Sequence, residues 1–280
     1  MSTPRPAGGT EAPSKVVLEL PRVRFGPGEV ALVGGGPGAP DLVSLRALAY
    51  LAQAEVVIYD RLIDPRVLRW APPKAELIYV GKGPRAGAES QEDIQRLLLR
   101  KARERRRVVR WKGGDPFVYG RGFEELEFLE NRGIPVTVVP GISSVTGALT
   151  SARIPWVHHG IGDTVGVFPG RVASGTRKGG GSVAALAKRC DTLVGLMVVA
   201  DLPRLLQEIR TVRPAHEPAA LVVDATTKRQ RVLYSTVGKL SRLAREKKVR
   251  PPAILVVGPV VKVAREARRL RERSRGRTDK

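Results

Sequence analysis

Two periodicities divide the chain. Short apolar runs at 30–33, 56–59, 77–80, 108–111 and 136–139 stop for the most part at glycine or proline, and runs of this length read as buried β-strands. Between them, apolar residues recur at the three- and four-residue spacing of a helix that buries one face. That spacing predicts a helix over 42–53, with Leu45, Leu48, Ala49 and Ala52 on one side. A second helix is predicted after Ser90, which suits an N-cap; Asp93, three residues on, completes a capping box, and Ile94, Leu97, Leu98 and Ala102 form the apolar stripe. A third spans 123–131 and stops at Gly133. Strands alternating with helices predict an α/β fold with a parallel sheet.

The second half is less regular. Strands are predicted at 165–168, 192–198, 219–223 and 254–257, and helices at 183–189, 202–210 and 237–245. Fewer helices separate these strands, so a mixed sheet is expected. The segment 151–156 reads as the hinge between halves. Residues 1–28, rich in Pro, Gly, Ser and Thr, are expected to be a disordered leader with a short extended piece at 16–20, order beginning near Glu29. Residues 171–182 read as a mobile loop by composition, either a plain insertion or a lid over an anionic ligand. The expected organisation is therefore a leader (1–28), an N-terminal α/β domain (29–152), a C-terminal α/β domain (153–263) and a basic tail (264–280). A chain of 280 residues suits two domains of about 100–150 residues each.

Charge narrows the partners. The formal net charge is +22, and a field of that sign favours acidic partners: nucleic acid, an anionic membrane or a polycarboxylate small molecule. The tail holds eight basic and three acidic residues, so most of the excess lies in the body. A second basic block, 100–112, reads as a solvated helix end leading into a strand. No apolar run reaches the roughly 18 residues of a membrane helix; the longest, 254–263, is broken by Gly258, Pro259 and Lys262. No secretory signal is evident, and the single Cys190 cannot form an internal disulfide, which together point to the reducing cytoplasm. With aromatics at 5% and no zinc-finger or RNA-recognition signature, a nucleic-acid partner is not expected. His158 and His159 have no third partner at zinc spacing, so no metal site is expected.

Two loops carry candidate chemistry. Gly34-Gly-Gly-Pro-Gly38 joins a strand to a helix and is either a tight turn or a loop that lets a ligand approach the backbone. Gly34, Gly36 and Ala39 fit a dinucleotide fingerprint with Asp60 about 20 residues on, but Pro37 and Pro40 remove the amide donors that a pyrophosphate needs. The second loop, from Lys112-Gly-Gly-Asp-Pro116 to Gly120-Arg-Gly122, is more specific. Its paired glycines at a strand's carboxyl end allow a small ligand to lie on the main chain. Asp115 is either an acceptor for a ligand amine or hydroxyl, or a turn-forming Asp before Pro.

This second loop resembles the hallmark of the uroporphyrinogen-III and precorrin methyltransferase family, and supporting segments stand in the family's order from about residue 29 to 262. The resemblance implies a two-domain tetrapyrrole methylase fold with the cofactor, S-adenosyl-L-methionine, in the interdomain cleft. By the same resemblance Pro37, Gly113, Gly114, Asp115, Val118, Ser143, Ser144, Met197 and Ala225 bind the cofactor, and Asp60 and Lys82 form an acid/base pair. Methylation of a pyrrole carbon releases a proton, which a carboxylate can take; a lysine can hold carboxylate arms or donate a proton. For Met197 a core position is the alternative, for Asp60 a strand-end cap or a partner of Arg61, and for Lys82 a surface lysine. The implied reaction is C-methylation of uroporphyrinogen III to precorrin-2 via precorrin-1 by a homodimer. The alternative is a methyltransferase of the same fold that acts on another precorrin or on RNA. Arg61, Lys82, Arg121 and His159 are candidates to line a basic, polycarboxylate-binding cleft.

Five segments depart from the family pattern. Ala39 stands where an Asp is usual, Trp156-Val-His-His159 replaces Leu-Thr-His-Arg, and Pro169-Gly-Arg171 replaces Thr-Gly-His. Gly195-Leu196 replaces Phe-Tyr before Met197, and Val198 stands for a glycine. Most of these fall in the second half, on the substrate side of the expected cleft.

Overall fold

A computed structural model describes residues 19–81, 90–170 and 182–278. Its first half builds one five-stranded sheet from β1 (Val30–Gly34), β2 (Val56–Tyr59), β3 (Glu76–Tyr79), β4 (Val108–Lys112) and β5 (Val136–Val139), in the order β3-β2-β4-β1-β5. All four pairings are parallel. Both faces are covered, which explains the continuous apolar strands. The alternation of side chains along each strand sorts them. Ala31, Val33, Val57 and Val109 meet Ala47, Leu48 and Leu51 of α1 (Leu45–Leu51). Val30, Leu32, Val56, Ile58 and Val108 meet the stripe of α2 (Gln91–Arg103) and Leu129 of α3 (Gly122–Glu130).

The capping box at Ser90 forms as expected: the Asp93 amide donates to Ser90 Oγ and the Ser90 amide to the Asp93 carboxylate, both at 3.1 Å. The helix expected over 42–53 is shorter. Residues Pro40–Leu42 make a 3-10 turn, Val43 is extended, and Ser44 caps α1 by accepting from the Ala47 amide. A side-chain cap there offers the orphan amides a partner that continuing the helix upstream would remove.

The second half builds a mixed sheet, as its sparse helices suggested. Strands β6 (Val165–Pro169), β7 (Thr192–Leu196), β8 (Pro218–Val223), β9 (Arg231–Thr236) and β10 (Ala253–Val257) run in the order β6-β7-β10-β8-β9. Only β6 and β7 are parallel; the other pairs are antiparallel. One face carries α5 (Val183–Arg189), α6 (Leu202–Arg210) and α7 (Leu240–Glu246), packed through Leu202, Leu205, Leu206, Ile209 and Leu240. The other carries α4 (Ser144–Ser151) and the start of α8 (Pro259–Thr278). Although α4 follows β5 of the first sheet, its Val145, Ala148 and Leu149 pack with Val194, Leu196, Val222 and Val256 of the second. The helix that precedes the expected hinge therefore already packs with the second sheet.

Three elements escape the apolar pattern. β9 is an edge strand whose residues are mostly half-buried, so its alternation is weak. α4 is short and rich in Ser, Thr and Gly, poor helix formers. The apolar run 254–263 divides at Gly258-Pro259 into β10 and α8, and α8 buries only its first turns through Val260, Val261 and Ala264. The basic tail thus continues a helix rooted in the second domain. Order also starts ahead of Glu29. Phe25 is buried and stacks edge-on against Tyr50 at 5.1 Å, and Leu20 and Val23 pack on the same cluster. The expected extended piece at 16–20 falls mainly outside the described residues, as does the loop 171–181.

Leu98, fully buried under the first sheet, and Leu270, 64% exposed on α8, give a direct contrast. Leu98→Ala is expected to lower the unfolding free energy by about 2–5 kcal/mol. Leu270→Ala is expected to change it by less than about 0.5 kcal/mol. Urea unfolding followed by circular dichroism checks both.

Candidate active site

The parallel sheet has one point where consecutive connections leave in opposite directions. From β1 the chain turns to α1 on one face; from the adjacent β4 it turns to α3 on the other. Such a switch point opens a crevice at the strands' carboxyl ends, where α/β sheets bind ligands. The two glycine loops singled out in the sequence follow β1 and β4 and meet there. Gly36 and Gly114 form a backbone bridge, with the Gly114 amide donating to the Gly36 carbonyl at 2.7 Å and the reverse bond at 3.2 Å.

A third loop, after β5, closes on these two. A Cβ on Gly34 would lie 2.5 Å from the Gly141 nitrogen and 2.8 Å from the Gly114 carbonyl oxygen, both immovable backbone. Three loops therefore touch main chain to main chain, which only glycine permits. Asp115 ties the same contact from its side chain. One oxygen accepts from the Phe117 amide at 2.9 Å and the other from the Gly141 amide at 3.1 Å. Both oxygens are thus engaged with backbone, and each keeps a lone pair that a ligand donor can use.

Of the nine expected cofactor positions, Pro37, Gly113, Gly114, Asp115, Ser143, Ser144 and Ala225 lie on the loops, helix start and turn that meet here. Gly114 faces Ser143 and Ser144, at 3.8 and 3.7 Å from its would-be Cβ. Ser143 is the N-cap of α4, its hydroxyl accepting from the Val145 amide at 3.2 Å. Pro37 packs against Gly147 of the same helix. Val118 leans on the cluster that contains Leu196 and Ala225. Gly38 lies against the Ala225 carbonyl, and the Ala39 amide donates to the Thr226 hydroxyl at 3.0 Å. Met197 is not a core residue: it is 50% exposed, directly after β7.

The second domain also reaches the crevice through bonds that the sequence did not signal. Gln230 accepts from the Thr226 amide and from the Ser151 hydroxyl, linking the 224–227 turn to α4. Tyr119 donates to the Val167 carbonyl at 3.3 Å across the two sheets. Backbone strain collects here. Tyr119, Arg121, Met197, Asp224 and Thr226 all have left-handed φ between 48° and 65°. For a non-glycine residue this costs about 1–3 kcal/mol and gathers at functional sites.

Of the expected acid/base pair, Asp60 directly follows β2, which neighbours β4 in the sheet, and its Oδ1 accepts from the Leu62 amide at 3.0 Å. Leu62 in turn packs on Gly113. Lys82 lies outside the described residues. Arg61 and His159 are exposed, and Arg121 is paired with Glu124 at 2.8 Å. The basic block 100–112 is, as expected, an exposed helix end leading into a strand, but two of its basic residues lie on the buried strand. Arg110 and Lys112 are buried beside Asp60, because strand alternation turns them inward toward α3. There the buried Glu125 carboxylate meets the Lys112 ammonium at 2.8 Å. Burial, helped by repulsion from Arg110, still holds the Lys112 pKa below its usual value despite that pairing.

Two of the family departures are coupled by packing. A Cβ on Gly195 would sit 2.8 Å from both the Val198 side chain and the Phe168 ring. The space an aromatic would take at 195 is filled here by Val198 and Phe168.

Comparison with known proteins agrees with the fold. The family described as Tetrapyrrole (Corrin/Porphyrin) Methylases matches residues 29–241. A uroporphyrinogen-III C-methyltransferase of Methanocaldococcus jannaschii is 40% identical over 238 residues, 84% of this chain and 98% of that protein. A siroheme synthase of Pseudomonas entomophila is 44% identical over 237 residues, 84% of this chain but 51% of that protein, so the chain spans about half the length of such relatives. The solved uroporphyrin-III C-methyl transferase from Thermus thermophilus complexed with S-adenyl homocysteine superposes with a TM-score of 0.71 at 41% identity, covering 84% of this chain and 99% of that one.

Gly141 and Gly133 separate the effect of loop contact from that of backbone freedom. Gly133 has φ 72° but nothing within 4 Å of a Cβ, whereas a Cβ on Gly141 would collide with the Gly114 carbonyl. Gly141→Ala is expected to speed amide hydrogen exchange throughout 34–38 and 113–118. Gly133→Ala, with a strain cost of about 1–2 kcal/mol, is expected to leave those loops at their original exchange rates.

Proposed function

Since the chain belongs to the tetrapyrrole (corrin/porphyrin) methylase family, we propose that it methylates carbon atoms of uroporphyrinogen III with S-adenosylmethionine, giving precorrin-2 by way of precorrin-1. The observation that carries this reading is the meeting of three backbone loops with the 224–227 turn at the switch point of the first sheet. Support also comes from the names of similar proteins, which include uroporphyrinogen-III C-methyltransferase, and from the solved relative complexed with S-adenyl homocysteine.

The crevice suits such a cofactor. Its walls are backbone amides and carbonyls, prolines and exposed apolar side chains such as Met197 and Ile142. They offer a flat, largely neutral surface to an adenosyl group, and a thioether that packs well on an aromatic ring. When bound, S-adenosylmethionine supplies an electrophilic methyl on a sulfonium centre. Pro37, Gly113, Gly114, Asp115, Ser143 and Ser144 hold it from the first domain and from α4. Val118, Met197 and Ala225 complete the pocket toward the second domain.

The rest of the chemistry belongs to the protein's own groups. Two lobes that fix donor and acceptor at contact distance remove much of the entropic cost of an in-line transfer. Asp60 takes up the proton released from the methylated carbon, or steadies the cationic macrocycle before that proton leaves. Lys82 pairs with a substrate carboxylate or returns a proton. The excess of basic side chains draws a polycarboxylate substrate toward the cleft. The protein acts as a homodimer in the cytoplasm. Among the described residues no helix is long and apolar enough to cross a membrane.

The deciding experiment offers labelled S-adenosylmethionine with either uroporphyrinogen III or ribosomal RNA and weighs the product. Two methyl groups per macrocycle are expected. Label found only in RNA would remove the tetrapyrrole reading. Asp60→Asn is expected to lower kcat by about 10²–10⁴-fold while calorimetry still detects S-adenosylhomocysteine binding.

A further inference from the structure

Among 49 lysines and arginines, Arg110 and Lys112 are the two whose burial places them in the core of the described residues. They stand on one face of β4, toward α3. Ile58 pairs with Arg110 and Tyr59 with Trp111, so the next residue of β2, Asp60, follows on the face shared by Ile58, Arg110 and Lys112. The alternation of two neighbouring strands thus gathers two cations and one carboxylate at the carboxyl end of the sheet. α3 adds the second carboxylate, Glu125, with no solvent exposure.

The contacts form a directed network. Glu125 Oε2 accepts from Lys112 Nζ at 2.8 Å, and Oε1 accepts from Gln91 Nε2 at 3.1 Å and from Arg110 Nε at 3.4 Å. Arg110 Nη1 donates to the carbonyls of Ile58 and Trp111 at 3.3 and 3.2 Å. These bonds leave Nη2 pointing outward, 3.7 Å from Asp60 Oδ2. The other Asp60 oxygen is held by the Leu62 amide. Asp60 is itself the partly exposed member, at 26% of its side chain, while Arg110 and Glu125 are at 5% and 0%. One end of the network is locked in the core and the other is partly exposed at the carboxyl end of the sheet.

Stability alone gives little reason for such an arrangement. Well-packed apolar residues in place of a buried ion network are often neutral or stabilising. Burial moreover disfavours the charged form of Lys112 even with Glu125 beside it. What the network does achieve is a guanidinium of fixed orientation behind one carboxylate at the mouth of the site.

We infer that Arg110 is a positioning residue for the reaction: clamped by Glu125, it sets the orientation of the Asp60 carboxylate toward the crevice. Lys112 and Gln91 complete the coordination of Glu125 and so keep the clamp from turning. The inference rests on the assignment of Asp60 under the proposed function, and it is separable from it by experiment.

A double-mutant cycle with Arg110→Gln and Asp60→Asn tests it, read out as kcat, KM for both substrates, thermal midpoint and S-adenosylhomocysteine affinity. Arg110→Gln is expected to lower kcat about 10–100-fold, the usual effect of losing an orienting partner. KM and cofactor affinity are expected to stay within about twofold. In the Asp60→Asn background the same change is expected to have no further effect on kcat, since residues that act as a unit are not additive. Multiplying effects, or cofactor affinity that falls as far as kcat, would overturn the inference and leave the assignment of Asp60 standing. Asp60→Asn with wild-type kcat would overturn the assignment of Asp60, and the inference with it. If Arg110→Gln does not fold, Arg110→Lys keeps the charge against Glu125 but loses the planar fork. That variant is expected to fold with a reduced kcat that is again lost as an effect in the Asp60→Asn background; wild-type kcat for it would overturn the inference.

Discussion

Main-chain contact among Gly34, Gly114 and Gly141 is the constraint on which the rest of the structure depends. These residues end or follow three neighbouring strands, β4, β1 and β5. Because none has a side chain, the loops behind them stack on one another with backbone hydrogen bonds and the Asp115 carboxylate as the only fasteners. Close packing fixes where α4 begins, and α4 is the element that carries the second sheet. A methyl group at Gly34 or Gly141 would push apart the loops, the helix and the domain resting on it.

Beside the apolar packing of α4 on the second sheet, the two halves meet at the crevice through small, specific contacts. The Thr226 hydroxyl holds the Ala39 amide, Gln230 bridges Thr226 to Ser151, and Tyr119 reaches the Val167 carbonyl. Several of these residues, or their immediate neighbours, sit in left-handed backbone. Strain of that kind persists only where surrounding structure over-determines it, and here it is over-determined from both domains. The residue usual at position 39 in the family is acidic. In this chain Ala39 stands there, and its amide donates to the Thr226 hydroxyl of the second domain. The coupled change at Gly195 and Val198 is the same kind of adjustment, made by volume instead of hydrogen bonding.

Charge is used in two different ways. Most basic side chains lie at the surface, as on the exposed part of α8, and shape the long-range field that suits a polycarboxylate. Arg110 and Lys112 instead enter the core, where their partners Glu125 and Asp60 come from different elements. A count of charges along the chain treats the two kinds alike, and only burial tells them apart.

The sequence by itself determined the strands of the first sheet, the capping box at Ser90, the helices at 183–189 and 202–210, and the loops that carry the candidate chemistry. In each case the physical cause is local: period, cap or glycine within a few residues. It also made a mixed second sheet the expectation, from the scarcity of helices between its strands. What it left hidden is what depends on distant partners. β9 shows little alternation because it is an edge strand, α4 is stabilised by packing across the domain boundary rather than by propensity, and Phe25 gains its place only from Tyr50. The inward turn of Arg110 and Lys112 follows from strand parity together with a carboxylate 13 to 15 positions away on α3. Tertiary structure alone decides this, because the free energy of burying a charge is set by whichever group the fold places beside it.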